Sequence, residues 1–308
     1  MKIAVIGAGA MGSLYGALLA EAGEDVYLVD IWKDHVSSVN RRGLIVSSDD
    51  GDRAVPLRAV TGAAGLGPVD LILVFVKSYS TGEAARTALG LLGENTMVLT
   101  LQNGIGNVEQ LGAILGPQRV LAGTSAFGGT MLGPGHIRHA GSGPTMLGEI
   151  NGQITPRLEQ LAGVFRWAGL QPSISDNIEG VLWTKLIVNV GINALTALTR
   201  VKNGQLLEIP ELESIMDMAV AEAVAVAVKK NIKLSPHSLD HVKGIARATG
   251  GNISSMRQDV EKGRATEIDV INGAVDREGT SLGIPTPVNR VLTMLIKGLS
   301  RSMKEGSR

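Results

Sequence analysis

Two groups of residues in this chain have types and spacings suited to chemistry. The first is Gly7, Gly9 and Gly12 in the stretch GAGAMG, with GxGxxG spacing. That pattern suits a dinucleotide: Gly7 permits a tight turn, Gly9 lets backbone approach a pyrophosphate, and Gly12 lets the following helix pack against the preceding strand. Together with Ala8, Ala10 and Met11 they open a helix whose N–H groups and partial positive charge can hold phosphates. The second group is Lys185, Asn189 and Asn193, spaced i, i+4, i+8 on one face of the apolar stretch WTKLIVNVGINALTA from Trp183 to Ala197. A lysine and two amides on one face can grip an anionic oxo compound, or form a hydrogen-bonding line to a neighbouring helix.

The elements that must position these groups follow from the surrounding pattern. Ile3, Val5 and Ile6 make a buried parallel strand ahead of the glycines, Ser13 to Ala22 a small-residue helix ending at Gly23, and Val26 to Asp30 a second strand. Asp30 stands either where an acidic residue meets the adenosine ribose hydroxyls or as an ordinary strand-ending aspartate. Ile31 to Arg42 reads as a helix stopping at Gly43, and Leu44 to Val60 as an irregular hairpin-like passage. The apolar run Val69 to Val76 predicts a strand covered on both faces, with Lys77 at its carboxyl end as a crevice residue or a solvated charge. After a helix over Ala84 to Leu92, a strand over Met97 to Leu101 delivers Asn103 either as an amide for a nicotinamide or as the first residue of an Asn-Gly turn. Val120 to Ala126 and a strand pair around Gly133 to Leu147 are expected to complete the sheet as antiparallel edges, covered by a helix over Pro156 to Ala168.

The polar stretch Gln171 to Asn177 marks a boundary between domains at 1–174 and 175–308. Beyond it helical signals dominate: Ile178 to Thr199, Glu208 to Lys230, Pro236 to Ala248, Ser254 to Lys262, Glu267 to Leu282 and Pro287 to Lys304. The fold class expected is α/β, an N-terminal Rossmann-type doubly wound sheet followed by an all-α C-terminal domain.

Composition narrows the function classes. Lys+Arg and Asp+Glu are both 29, so no net charge favours nucleic acid or an anionic membrane, and 3% aromatic residues build no stacking platform for single strands. With no cysteine, disulfides, thiol nucleophiles and Cys-ligated zinc are excluded. The N-terminus reads as structural from its first residues, and no segment is expected to be long and apolar enough to span a bilayer. The pairs His136/His139 and His237/His241 have spacings open to metal, but no third ligand stands with either, so structural roles are favoured.

The chain resembles the ketopantoate reductases (2-dehydropantoate 2-reductases) over essentially its whole length. The resemblance rests on GAGAMG, LQNGIGN at Leu101 to Asn107, the Lys185 helix, Asn203-Gly204, NISSMRQD from Asn252 and TEIDVINGA from Thr266. It implies an active site in a cleft between a Rossmann and a helical domain, and a reduction belonging to pantothenate and coenzyme A biosynthesis. By position it implies Lys185 as proton donor, with Asn103, Asn189, Asn193 and Asn203 at the substrate and Ser255, helped by Asn252, on its carboxylate. It places Glu267 where substrate and cofactor meet, and Lys77 and Gly129 on the cofactor.

The chemistry fits such a site independently. Hydride delivered to the carbonyl carbon of a 2-oxo acid leaves charge on oxygen, which a positioned ammonium stabilises and protonates. NAD(P)H is the expected cofactor. NADPH is the family's usual choice, but no arginine follows the second strand, and Asp30 favours NADH. The alternatives are a sister reductase of branched 2-oxo acids and a non-catalytic dinucleotide-binding redox sensor. Cytoplasmic location and a homodimer are further expectations.

Overall fold

The structure, a computed structural model, describes residues 1–234 and 238–305. The helix start expected at Pro236, and His237 with it, lie outside the described residues. The chain divides into two compact units, Met1–Gln102 with Asn107–Ile178, and Asn103–Gly106 with Glu179–Arg308.

In chain order the first unit contains β1 (Lys2–Ile6), α1 (Ala10–Glu21), β2 (Asp25–Val29), α2 (Lys33–Arg42), β3 (Leu44–Ser48), β4 (Gly51–Val55), β5 (Arg58–Val60) and β6 (Leu71–Val74). It continues with α3 (Thr81–Ala88), β7 (Met97–Thr100), α4 (Asn107–Leu115), β8 (Val120–Ser125), β9 (Gly128–Gly133), β10 (His136–Gly141), β11 (Thr145–Glu149), α5 (Pro156–Trp167) and β12 (Pro172–Ile174). Its main sheet has eight strands in the order β12-β11-β8-β7-β6-β1-β2-β5. All neighbours pair in parallel except β11 with β8. From β1 the chain goes first to one side, to β2, and later to the other, to β6, so the strand order reverses at β1. In open α/β sheets that switch point, at the carboxyl ends of the strands, is where ligands bind.

The central strands β1, β6 and β7 are almost wholly buried, as parallel strands covered on both faces must be. Helix α1 reaches this sheet through small residues. A Cβ on Gly16 would stand 2.6 Å from Leu28 Cδ2, and one on Gly12 would stand 2.0 Å from the Gly7 carbonyl oxygen. Gly7 has φ +92°, and a Cβ there would meet the Val76 nitrogen at 2.6 Å. Gly9 differs, because a Cβ on it would meet nothing within 4 Å.

The hairpin-like passage at 44–60 is the β3–β4 hairpin followed by edge strand β5, and one strand assignment is corrected. Strands β9 and β10 do not extend the main sheet; they join that hairpin in a second, four-stranded sheet of order β4-β3-β10-β9, where β10 runs parallel to β3. Only β11 takes the antiparallel place expected beside β8.

The second unit is helical: α6 (Ile178–Thr199), α7 (Pro210–Lys229), α8 (Ser238–Ala248), α9 (Ser255–Glu261), α10 (Asn272–Leu282) and α11 (Pro287–Glu305). Pro210 at the first helical position sets the start of α7, where its missing N–H costs nothing. The stretch from Glu267 to Leu282 is not one helix. A 3₁₀ turn over Ile268–Val270 is followed by α10, because the Val270 carbonyl accepts from the Ile105 N–H (3.2 Å) and is not left for a helical partner.

A second correction concerns α6, which is long and apolar enough by composition to cross a membrane. In the structure 61% of its apolar window is buried, and a Cβ on Gly191 would stand about 3 Å from Val242, Val220 and Met216 of the same unit. Its hydrophobicity thus fills the core of the unit. A buried polar line braces the same core. Asn272 donates to the Val190 carbonyl on α6 (3.3 Å) and to Asn289 (3.0 Å), and Asn289 donates to Glu222 on α7 (2.8 Å). Glu222 in turn accepts the N–H groups of Val288 and Asn289 at the start of α11, both at 2.9 Å.

The contrast between two glycines is testable by chemical denaturation. Gly12→Ala is expected to lower stability by about 1–3 kcal/mol, since the obstacle is backbone and the site cannot relax cheaply. Gly9→Ala is expected to remain within ~0.5 kcal/mol of the native chain, as a substitution into open space.

Candidate active site

The glycine turn closes on itself by backbone bonds. Gly7 N–H donates to the Val29 carbonyl (2.9 Å), and Phe75 N–H to the Ile6 carbonyl (2.9 Å), which levels the turn with the ends of β2 and β6. Gly9 is the N-cap of α1, no side chain caps the helix, and no acidic residue occupies its first turn. Neither a capping side chain nor a first-turn acid therefore answers the first-turn N–H groups and their positive field, an arrangement able to hold an anion. Ala8 is buried, Ala10 and Met11 are half-buried, and Gly9 is exposed. Gly129 on β9 lies against this turn, since a Cβ on it would stand 3.3 Å from the Ala10 carbonyl oxygen and from Met11 Sδ.

Asp30 follows β2 directly. One carboxylate oxygen accepts from the Trp32 N–H at 2.9 Å, which fixes the side chain at the strand end and leaves the second oxygen for another donor. Lys77 stands three residues beyond β6, half-buried at the start of a 3₁₀ turn over Ser78–Ser80. The turn, Asp30, Lys77 and Gly129 thus belong to the first unit.

The remaining predicted residues fall in the second unit. Lys185, Asn189 and Asn193 lie on successive turns of α6, with Asn193 buried and the other two half-buried. Desolvation lowers the Lys185 pKa to about 8, and the Glu267 carboxylate opposes that shift by stabilising the ammonium. Glu267 is buried at the head of the 3₁₀ turn over Ile268–Val270. Asn103 opens the short segment that packs onto this turn. Its neighbour Gly104 has φ +81°, and a Cβ there would meet the Val270 side chain and carbonyl at 2.5 Å.

Asn203 and Asn252 are joined through backbone. Asn203 N–H donates to the Asn252 carbonyl (3.1 Å) and Gly204 N–H to the Gly250 carbonyl (3.2 Å), an approach that only a glycine at 204 permits, since a Cβ would stand 2.9 Å from Gly250 Cα. Ser255 is the exposed first residue of α9. Its neighbour Ser254 is buried, caps α9 by accepting from the Arg257 N–H (3.2 Å), and bonds the Thr196 hydroxyl on α6 (2.7 Å). Ser254 and Thr196 thus tie the start of α9 to α6, a link that sequence reasoning missed, although a serine before a helix is a capping signal.

Four buried side-chain atoms among the described residues make no hydrogen bond, and two belong to this set: Asn189 Nδ2 and Asn203 Oδ1. The orientation of Asn203 follows from its neighbour. Thr249 donates its single proton to the Ile245 carbonyl (2.8 Å), so it accepts from Asn203 Nδ2 (3.0 Å) and leaves Oδ1 as an acceptor. Of the paired histidines, His136 bonds Ser47 (2.7 Å), His139 stacks on Phe127 and stands opposite Gly129 in the β9–β10 pair, and His241 is exposed on α8. The concavity lined by Pro117, Gln118, Glu149, Thr155 and Arg157 holds none of the predicted residues, and its acid is already paired with Arg157 (2.5 Å).

Residues 3–152 match the model of the family described as ketopantoate reductase PanE/ApbA, and residues 177–300 match that of its C-terminal domain. The chain belongs to the ketopantoate reductase family. Among relatives, the 2-dehydropantoate 2-reductase of Halobacterium salinarum is 38% identical over 96% of this chain and 98% of its own length. That of Pyrococcus horikoshii is 35% identical over the whole of both chains. Among solved structures, the PanE/ApbA family ketopantoate reductase of Ralstonia eutropha superposes with TM-score 0.92 at 36% identity, covering 99% of this chain and 100% of that one. A D-mandelate dehydrogenase solved with NADH and anilino(oxo)acetate gives TM-score 0.92 at 30% identity over 99% of each chain. The α/β unit followed by a helical unit is the architecture of this family, and the chain is an oxidoreductase.

The electrostatics of the second unit can be read directly. The Lys185 ammonium is expected to titrate near 8, followed by NMR at its ε carbon, and Glu267→Gln is expected to move the midpoint lower by removing the charge that holds it up. A midpoint at the ordinary lysine value of ~10.4 would show a hydrated amine.

Proposed function

We propose that this chain reduces 2-dehydropantoate to pantoate with NAD(P)H in pantothenate biosynthesis, with residues 1–174 holding the dinucleotide and 175–308 the 2-oxo acid. The observation that carries the reading is the Lys185 amine, lowered toward neutrality on a helix face that also carries Asn189 and Asn193. The uncapped glycine turn and the open side of Gly9 fit a pyrophosphate. A dihydronicotinamide held by the glycine turn would supply the hydride for the 2-oxo carbon. Lys185 stabilises the charge that develops on the carbonyl oxygen and gives it a proton, and a pKa near 8 keeps the donor protonated at neutral pH yet willing to part with that proton. Asn189, Asn193 and Asn103 orient the substrate, Ser255 and Asn252 take its carboxylate without adding positive charge beside Lys185, and Glu267 holds Lys185 charged.

The choice of substrate rests on Asn203. Its Oδ1 is a buried acceptor in want of a donor, and the terminal hydroxyl of 2-dehydropantoate is one that 2-oxoisovalerate lacks. A second reading, a sister reductase of other 2-oxo acids, is favoured by the likeness to D-mandelate dehydrogenase. The retained substrate set argues against a non-catalytic sensor. We further propose a cytoplasmic enzyme, and a homodimer joined through Val291, Met294 and Leu295, which lie exposed on one side of α11.

For the cofactor, the Asp30 carboxylate held by the Trp32 N–H supports NADH, whose ribose hydroxyls can donate to it. The 2′-phosphate of NADPH carries about −1.5 to −2 charges. Even one pair of unit charges ~4 Å apart repels by roughly 4 kcal/mol at an effective dielectric near 20. Lys33, exposed at the start of α2, and Lys77 offset part of that repulsion.

Activity assays test these assignments. Lys185→Ala is expected to fold and to lose ~10²–10⁴ in kcat, and native activity to fall as pH rises through about 8, where the donor is lost. In the same assays kcat/KM for 2-dehydropantoate should exceed that for 2-oxoisovalerate by roughly 10-fold or more, and parity would favour the sister activity. Comparing NADH with NADPH in the native chain and in Asp30→Ala tests the cofactor. The native chain is expected to prefer NADH and the variant to lose that preference, whereas an NADPH preference indifferent to Asp30→Ala would remove Asp30 from the choice.

A further inference from the structure

A fully buried histidine behind the glycine turn has no part in the chemistry above. His35, on α2, is 0% exposed and makes a directed chain of hydrogen bonds. Gly135 N–H donates to its Nδ1 at 3.0 Å, so Nδ1 is the lone-pair nitrogen and the proton of the neutral ring sits on Nε2. Nε2 is 3.3 Å from Ser13 Oγ and donates to it, and Ser13, buried on α1, donates its own proton to the Ala8 carbonyl oxygen at 2.8 Å. Burial lowers the imidazole pKa against the opposing charge of Asp30, in keeping with a neutral ring.

Both ends of this chain are anchored. Gly135 lies in the turn between β9 and β10 with φ +68°, its carbonyl accepts from the Ile45 N–H on β3 (2.9 Å), and a Cβ on it would stand 2.7 Å from Ser38 Cβ on α2. At the other end, Ala8 and Gly9 share one peptide plane. In a trans peptide the C=O and the following N–H point in opposite directions. A hydroxyl holding the Ala8 carbonyl therefore turns the Gly9 N–H to the opposite side of the peptide, away from Ser13, and a Cβ added to Gly9 would itself meet nothing within 4 Å. The Gly9 carbonyl is held as well, accepting from the Ser13 N–H at 2.9 Å. The plane turns about Ala8 ψ and Gly9 φ, and a glycine at the second of these widens the range it can take unless something holds it.

We propose that Ser13 and His35 are positioning residues that lock the Ala8–Gly9 peptide with its N–H presented to the pyrophosphate of the dinucleotide, and that the β9–β10 turn anchors this lock through Gly135. The proposal rests on the reading of the glycine turn as the NAD(P)H site. His35 acts through Ser13: by donating to Oγ it leaves the serine proton no competing acceptor on that side and directs it to Ala8.

The test is direct binding of NADH, NADPH and ADP-ribose to the full chain, with kinetics alongside. Ser13→Ala is expected to weaken all three by the same roughly 5–10-fold, the scale of one hydrogen bond, because the pyrophosphate is common to them. It should leave kcat at saturating cofactor and KM for the 2-oxo acid within about twofold, a split that general loosening of the fold would not give. His35→Gln, which keeps a donor toward Ser13, should bind near the native level, whereas His35→Asn, which keeps only the acceptor for Gly135, should weaken binding. The double variant Ser13→Ala/His35→Asn should be no weaker than Ser13→Ala alone, since both act through one bond. Unchanged affinity in folded Ser13→Ala, or losses that multiply in the double variant, overturns the proposal. If Ser13→Ala does not fold, the His35→Gln and His35→Asn pair makes the same comparison. Failure of the native chain to bind any of the three would instead strike the dinucleotide reading itself, and the proposal with it.

Discussion

The closest constraint in the first unit is the contact of backbone with backbone between Gly12 and the Gly7 carbonyl oxygen, where even a methyl group has no room. It follows from where α1 must start. The helix rises directly off the end of β1, so its first turn passes over the residue that ended the strand, and only hydrogen atoms fit between them. The same turn carries the uncapped N-terminus of α1, stands at the reversal of strand order, and lies against Gly129 at Ala10 and Met11. A turn so tightly packed behind and so open in front is rigid where it meets protein and bare where a ligand would lie.

The second unit has a different problem, that of keeping polar groups inside an apolar helix bundle. It solves part of it internally, through the line from Asn272 to Asn289 to Glu222 that also satisfies the start of α11. The solution is incomplete, since Asn272 Oδ1 on that line makes no hydrogen bond, and it is incomplete again around Lys185. Lys185 sits where water is scarce enough to lower its pKa, one carboxylate partly compensates it, and amide atoms of Asn189 and Asn203 stay without partners. An unmade buried hydrogen bond costs roughly 1–3 kcal/mol, a cost that a ligand or an ordered water removes by supplying the missing partner.

Much of this was legible in the sequence, for local reasons. The glycine spacing is a statement about backbone clearance, and α6 runs from Ile178 to Thr199 as its periodicity indicates. What was not legible depends on partners far along the chain. Alternating residues mark β9 and β10 as strands, but nothing local says that β10 pairs with β3 and not with the main sheet. The interruption between Glu267 and Leu282 is imposed by Ile105, and the tautomer of His35 by a glycine 100 residues away. Hydropathy likewise cannot tell a core helix from a membrane one, because both are surrounded by apolar matter; the polar stripe on α6 is the better guide. The substrate set carried over by resemblance falls entirely in the second unit, as residue types alone could not have told.

The four residues Asn103–Gly106 are encoded within the first half of the chain yet fold with the second. Gly104 is pressed against Val270, and Ile105 supplies the N–H that the Val270 carbonyl accepts. The two units are therefore not two consecutive cassettes. A fragment expressed from residue 175 onward would lack the short peptide that ends its own 3₁₀ turn, and recombination between relatives at that boundary would pair this peptide with a foreign partner. A crossover that respects the structure has to carry the segment around Asn103 together with the C-terminal half, so inheritance of the site is tied to two separate places in the sequence.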